Sequence, residues 1–212
     1  MSKLKRVDYN HINWGPYVMK TKLPDYIIKK LKTEGKKAKQ SYNHSLAGHL
    51  DNQFLYPEPF QRWFYSEIQP IFQAYRKGHC QYHGIEELNV DLGADDLWVN
   101  FMKAGDFNPL HTHGADYSFV IFVDVPKELE KEQEKFEGTS GKPGYLQFEY
   151  TQQARPRWAT TGTAIKPETG DFYMFPALLQ HWVCPFKSKV TRISVSGNLR
   201  IENKDKLPHD YF

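Results

Sequence analysis

The sequence predicts an α+β protein in which N-terminal helices pack outside an antiparallel sandwich or barrel. Two helix-spaced apolar stripes lie before residue 80. Beyond Asp95-Asp96 the period shortens, and short apolar runs alternate with Gly/Pro turns. Aromatic residues make up 15% of the chain, which favours strands and an aromatic-rich core.

Taken in order, Gly15-Pro16-Tyr-Val-Met-Lys20 suits a short edge strand. The first helix is expected over about 24–39, where Ile27, Ile28 and Leu31 share a face and lysines fill the rest. Those lysines read as a solvated face, because no aromatic residues are interleaved for stacking on bases. Ser41–Leu50 reads as a loop carrying His44 and His49, neither of them read as a ligand. Phe60, Phe64, Ile68, Ile71, Phe72 and Tyr75 mark a second helix over 57–78, kinked at Pro70. Cys80-Gln-Tyr-His83 resembles half a zinc site, but no second pair follows it.

Strands are expected at 97–102, 117–124, 145–150, 163–166, 171–175, 182–185 and 190–196, with 103–109 as a turn. The run 117–124 is apolar almost throughout, as in a strand buried on both faces. The charged segment 125–143 reads as an insertion over one sheet edge, with a short helix and the reach of a lid. A single domain over 1–212 follows, with a helical support region 1–96, a barrel 97–201 and a polar tail 202–212.

Composition narrows the function. A net charge of +3 gives no electrostatic case for a nucleic-acid partner. Two cysteines exclude a disulfide framework and fit a reducing compartment. No apolar core follows the charged Met1–Arg6, and no apolar run approaches the roughly 18 residues that span a bilayer. A cytoplasmic protein without a membrane partner is therefore expected.

The chemistry concentrates between His111 and Ser194. Imidazole is the commonest metal ligand, and His111 and His113 point the same way if extended backbone persists between them. A turn and a neighbouring strand can bring His181 to the same end, and Asp116 is the nearest carboxylate. Two histidines and a carboxylate with open positions suit non-haem Fe(II) chemistry. Arg192 stands in an apolar strand pattern that does not bury a guanidinium unless an anion meets it, and Ser194 shares its face.

His-x-His, then Gly170-Asp-x-x-x-Phe-Pro176 with His181, then Arg192-x-Ser194, resembles the Fe(II)- and 2-oxoglutarate-dependent oxygenase superfamily. It is similar more narrowly to a group of oxygenases carried by bacteriophages of cyanobacteria. The resemblance covers about 97–200, with a weaker likeness at Ser45–Gly48. It implies a double-stranded β-helix, a jelly-roll or cupin-like barrel with flanking helices, in the cytoplasm of a bacterial host. It further implies Fe(II), 2-oxoglutarate as cosubstrate and O2, with His111 and His181 on the metal. Arg192 and Ser194 would grip the distal carboxylate, and Asn100 is a further candidate contact. Where the family has Asp or Glu this chain has His113, so the third ligand is His113 or Asp116. The implied activity is hydroxylation, with peptidyl, prolyl-like side chains among the substrates. Two other readings stand beside it: a non-catalytic, metal-binding cupin-like module of phage origin, which would have no use for Arg192 and Ser194, and a nucleic-acid-modifying oxygenase.

Overall fold

The structure, a computed structural model, describes residues 15–87, 90–139, 141–150 and 162–203. The chain opens with β1 (Met19–Lys22), α1 (Asp25–Gly35), β2 (Gln40–Ser41), a 3-10 turn at Asn43–Ser45, β3 (Gln53–Leu55), α2 (Glu58–Glu67) and α3 (Gln69–His83). It continues through β4 (Leu92–Met102), β5 (Asn108–His111), β6 (Tyr117–Asp124), α4 (Lys127–Glu134) and β7 (Leu146–Glu149). It ends with β8 (Gly162–Ile165), β9 (Asp171–Pro176), β10 (Gln180–Val183) and β11 (Arg192–Ile201).

Two sheets form, a seven-stranded one in the order β1-β9-β6-β11-β4-β3-β2 and a four-stranded one in the order β5-β10-β7-β8. Every pairing is antiparallel. Helices cover one face of the larger sheet and the smaller sheet covers the other, as the expected double-stranded β-helix requires. Strand alternation explains how one sheet serves two cores. Leu97, Val99, Phe119, Ile121, Phe172, Met174 and Val195 meet Ile27, Leu31, Phe64 and Phe72 of the helices. On the alternate positions of the same strands, Met102, Phe122, Tyr173 and Phe175 turn inward to Leu146, Phe148 and Val183 of the smaller sheet. This two-sided burial is why β6 and β9 read as continuous apolar runs.

The helices depart from expectation in two places. α1 stops at Gly35 rather than running to 39, and a side chain there would meet the Tyr56 hydroxyl at 2.8 Å. The single kinked helix of 57–78 is two helices. Ile68 leaves helical geometry at φ −96°, ψ 6°, and Pro70, which has no N–H to donate, stands in the first turn of α3. That helix then continues to His83 and ends on Gly84 in the left-handed region, at φ 67°.

Among the strands, β4 and β11 are longer than expected, β5 appears where a turn was expected, and β3 forms in a stretch that had no assigned element. β10 begins at Gln180, which puts His181 on the strand itself rather than in the turn before it. The insertion helix α4 is docked rather than poised. Leu129 and Gln133 are buried, Gln133 donates to the Pro143 carbonyl at 2.9 Å, and Glu132 accepts the backbone N–H groups of Lys187 and Ser188, each at 2.8 Å. The polar tail, apart from Glu202 and Asn203, lies outside the described residues.

Candidate metal and cosubstrate site

His111 on β5 and His181 on β10 are directly opposed in an antiparallel pair, with ring centroids 4.2 Å apart. This cross-strand register brings together residues far apart in sequence. His113 lies past the end of β5, where its N–H donates to Ala177 O at 2.9 Å. That hydrogen bond holds its ring 5.0 Å from His111 and 5.1 Å from His181. One ligand nitrogen from each of the three histidines lies within 4.8 Å of the others, which makes them a group able to hold a metal ion.

The hydrogen bonds assign protons. His111 Nδ1 faces Pro109 O at 2.7 Å and His181 Nδ1 faces Leu179 O at 2.8 Å. A carbonyl can only accept, so both Nδ1 atoms carry the hydrogen and both Nε2 atoms offer a lone pair. His113 Nε2 lies 3.2 Å from His181 Nε2. Burial pulls His113 down to about 4, helped by the nearby His111. Burial, with His111 second, pulls His181 down to about 3, and burial lowers His111 as well. Neutral imidazoles are what a metal ion requires.

Asp116 is not part of this group. Its carboxylate accepts the Ile201 N–H at 2.8 Å, and its backbone bonds Leu199 and Ala177.

A cavity of about 200 Å³ runs from the histidines into the barrel. On β11 the alternating Arg192, Ser194 and Ser196 line it, and Asn100 on β4 pairs in register with Ser194. Arg192 is 1% exposed and donates from Nη1 to Gly144 O at 2.8 Å, with the Phe122 ring 5.5 Å from its guanidinium carbon. Its Nε has no partner, and among the described residues no carboxylate pairs with it. Burial lowers it to about 10, so it stays charged at neutral pH. A buried cation short of partners asks for an anion. The donor set therefore fits both absent groups: imidazole lone pairs for iron, and a free guanidinium edge for a carboxylate.

The structure brings together His111, His113, His181, Asn100, Arg192 and Ser194. No described residue of 125–143 lines the cavity, whereas Ser45–Gly48 does. Gln53, Asn108 and Ser196 also line it and were not anticipated. Only the period-two spacing of Ser196 from Ser194 could have signalled one of them.

Residues 96–198, just under half of the chain, match the family model described as "Putative 2OG-Fe(II) oxygenase". No curated protein sequence matches. Among solved structures, a Pseudomonas putida prolyl-4-hydroxylase superposes with a TM-score of 0.53 at 14% identity, covering 87% of this chain and 92% of that one. The viral collagen prolyl hydroxylase of Paramecium Bursaria Chlorella virus-1, in its 2-oxoglutarate complex, gives 0.53 at 17%, covering 88% and 97%. HygX from Streptomyces hygroscopicus, with nickel, 2-oxoglutarate and hygromycin B bound, gives 0.57 at 8%, covering 90% and 84%. At these identities the structures speak to the fold. The family match and the histidine group define the class: a 2-oxoglutarate-dependent dioxygenase, an oxidoreductase that uses Fe(II) and O2.

Proposed function

We propose that the protein hydroxylates a peptidyl side chain, prolyl in the first instance, with release of succinate and CO2. His111, His113 and His181 hold the iron, Arg192 and Ser194 grip the distal carboxylate of 2-oxoglutarate, and Asn100 supplies a further polar contact. The observation that carries this is Arg192, a buried guanidinium with no acid among the described residues to meet it, in a cavity that three neutral imidazoles also line. When bound, the iron supplies the oxygen chemistry that attacks an unactivated C–H bond while 2-oxoglutarate is decarboxylated.

The chain's own part is positioning. The carbonyls of Pro109 and Leu179 fix two imidazole tautomers, so His111 and His181 present Nε2 without reorganising. Phe122, Leu146, Phe175 and Val183 form apolar walls that exclude water. His113 in place of a carboxylate leaves the site one unit more positive, and Asp116, held by Ile201, is the alternative third ligand.

Support for a side-chain substrate comes from size. A cavity of about 200 Å³ is below the roughly 300–1,000 Å³ of pockets that enclose drug-sized ligands, so only the tip of a substrate enters beside the cosubstrate. Prolyl hydroxylases among the structural neighbours support a peptide. The presence of a viral enzyme among them accords with a phage protein working in a bacterial cytoplasm.

The test is anaerobic addition of Fe(II), 2-oxoglutarate and ascorbate. A weak visible charge-transfer band, and succinate once air is admitted, are expected. Absence of both refutes the cosubstrate site.

A further inference from the structure

Among the described residues, three rings other than imidazole lie against the metal-site histidines. Phe148 and Phe175 stand 6.0 and 4.9 Å from His181, centroid to centroid, and Trp98 stands 6.2 Å from His113. A phenylalanine ring resists one-electron oxidation, whereas an indole gives up an electron readily. Trp98, on β4, is 4% exposed and lines the cavity. Its other ring neighbour is Tyr42, 5.8 Å away. Asp96 lies two residues before Trp98 on the same strand, and Tyr42 spans the two. Its ring packs on Trp98 while its hydroxyl donates to the Asp96 carboxylate. The backbone N–H of Tyr42 donates to Gln53 O at 2.9 Å, which fixes the root of the side chain. Tyr42 is half-buried and Asp96 is exposed, so the row His113, Trp98, Tyr42, Asp96 leads from the metal site to solvent. Packing alone would be served by phenylalanine at both ring positions.

The oxygen chemistry of this class gives an oxidisable row something to do. 2-Oxoglutarate supplies two of the four electrons that reduce O2, and the substrate C–H bond supplies the rest. Turnover with no substrate in place leaves two oxidising equivalents in the barrel, where they attack the nearest side chain. Resting on the reading that the three histidines hold iron, we propose that Trp98 and Tyr42 form a protective relay that carries those equivalents to the surface. Trp98 gives an electron to the site and regains one from Tyr42. The phenolic proton of Tyr42 passes to Asp96, which leaves a neutral tyrosyl radical. A hydrogen-atom donor of the ascorbate class restores the phenol, and Asp96 releases its proton to water. Two such passages, with two protons taken up at the site, reduce the second oxygen atom to water. The net reaction converts 2-oxoglutarate, O2 and ascorbic acid into succinate, CO2, dehydroascorbic acid and water. Burial, with the hydrogen bond to Asp96 second, pushes the Tyr42 phenol up to about 12, so its proton stays in place until the ring is oxidised.

The test uses the full chain loaded anaerobically with Fe(II) and 2-oxoglutarate, without primary substrate or ascorbate, then mixed with O2. Freeze-quenched samples are read by electron paramagnetic resonance, and spent samples by succinate assay and peptide mass mapping. The wild type should show a tyrosyl radical that ascorbate removes. Tyr42→Phe, which keeps the ring on Trp98, should lose that radical and gain the mass of one oxygen atom on the peptide carrying Trp98. Asp96→Asn, which still accepts the hydroxyl but cannot take its proton, should shift both readings the same way, and serves if the phenylalanine variant folds poorly. A radical that persists in Tyr42→Phe overturns the relay, as does equal oxygen on Trp98 in wild type and variants. Succinate without any radical in the wild type overturns it too. In each of these cases the cosubstrate reading stands, because succinate is formed. No succinate from the wild type overturns both.

Discussion

Replacing Arg192 with methionine should move stability and cosubstrate affinity in opposite directions. The guanidinium is 1% exposed, donates to Gly144 O, meets no carboxylate among the described residues, and is pulled down to about 10 by burial. Methionine matches its unbranched stem and removes the desolvation cost of the charge. Exchanging buried charge for apolar packing stabilises by about 1–4 kcal/mol, and losing the Gly144 contact offsets about 1 kcal/mol of that. At about 2–4 °C per kcal/mol for a chain of this size, Tm should rise by a few degrees. Binding should suffer the reverse. Truncating one partner of a buried charged pair costs about 2–5 kcal/mol, so the Kd for 2-oxoglutarate should increase roughly thirty-fold to several thousand-fold. Thermal melts without ligand, paired with anaerobic titration of the charge-transfer band, give both quantities from one preparation. A fall in Tm with unchanged 2-oxoglutarate affinity would refute the reasoning, because Arg192 would then be a structural cation already satisfied by the fold.

Three further outcomes are expected. His113→Ala should lower Fe(II) affinity by at least tenfold, in the range of losses on disturbing a metal site, while Asp116→Asn should leave it nearly unchanged; equilibrium dialysis separates the two, and the reverse result would make Asp116 the ligand. Burial holds His113 at about 4 and His181 at about 3 in the folded protein, against 6.5 for an ordinary histidine, so the unfolded chain takes up protons first. Metal-free stability should therefore be full above 6.5 and fall as pH drops through about 4 and on toward about 3, as followed by urea melts across that range. Leu129→Ala should destabilise by about 2–5 kcal/mol through the cavity it leaves under α4, yet leave 2-oxoglutarate affinity intact, since no described residue of that insertion lines the site.

The elements legible in the sequence are those whose pattern has a local cause. β6 and β9 carry apolar residues on both faces because helices lie on one side and the barrel interior on the other, so their runs stand out. β3 and β5 have only three and four residues and include Gln53, Asn108 and Pro109. Those short stretches become strands through pairing with β4 and β10, a tertiary cause that leaves no local trace. The break at Ile68 reads as a kink in the sequence because Pro70 signals a lost N–H without saying whether the helix resumes on the same axis. At the site, His111, His181, Arg192 and Ser194 were legible because a charged or ligating side chain in an apolar strand needs a reason. Gln53 was not, since an uncharged amide between Asn52 and Phe54 looks like ordinary surface until its burial is seen.

The pairing of β1 with β9 has a consequence for how the molecule is made. Met19 sits opposite Met174 and Lys22 opposite Asp171, a buried acid that both Lys20 and Lys22 approach. Strand β1 therefore waits for residues 171–174 to leave the ribosome before it finds its partner. Until then β1 has no partner strand, and Lys20 and Lys22 lack the Asp171 carboxylate. Closures of such long sequence separation come late and slowly in folding. The growing chain thus passes through a stage with helices formed and barrel unsealed, when unpaired strand edges invite association with other chains.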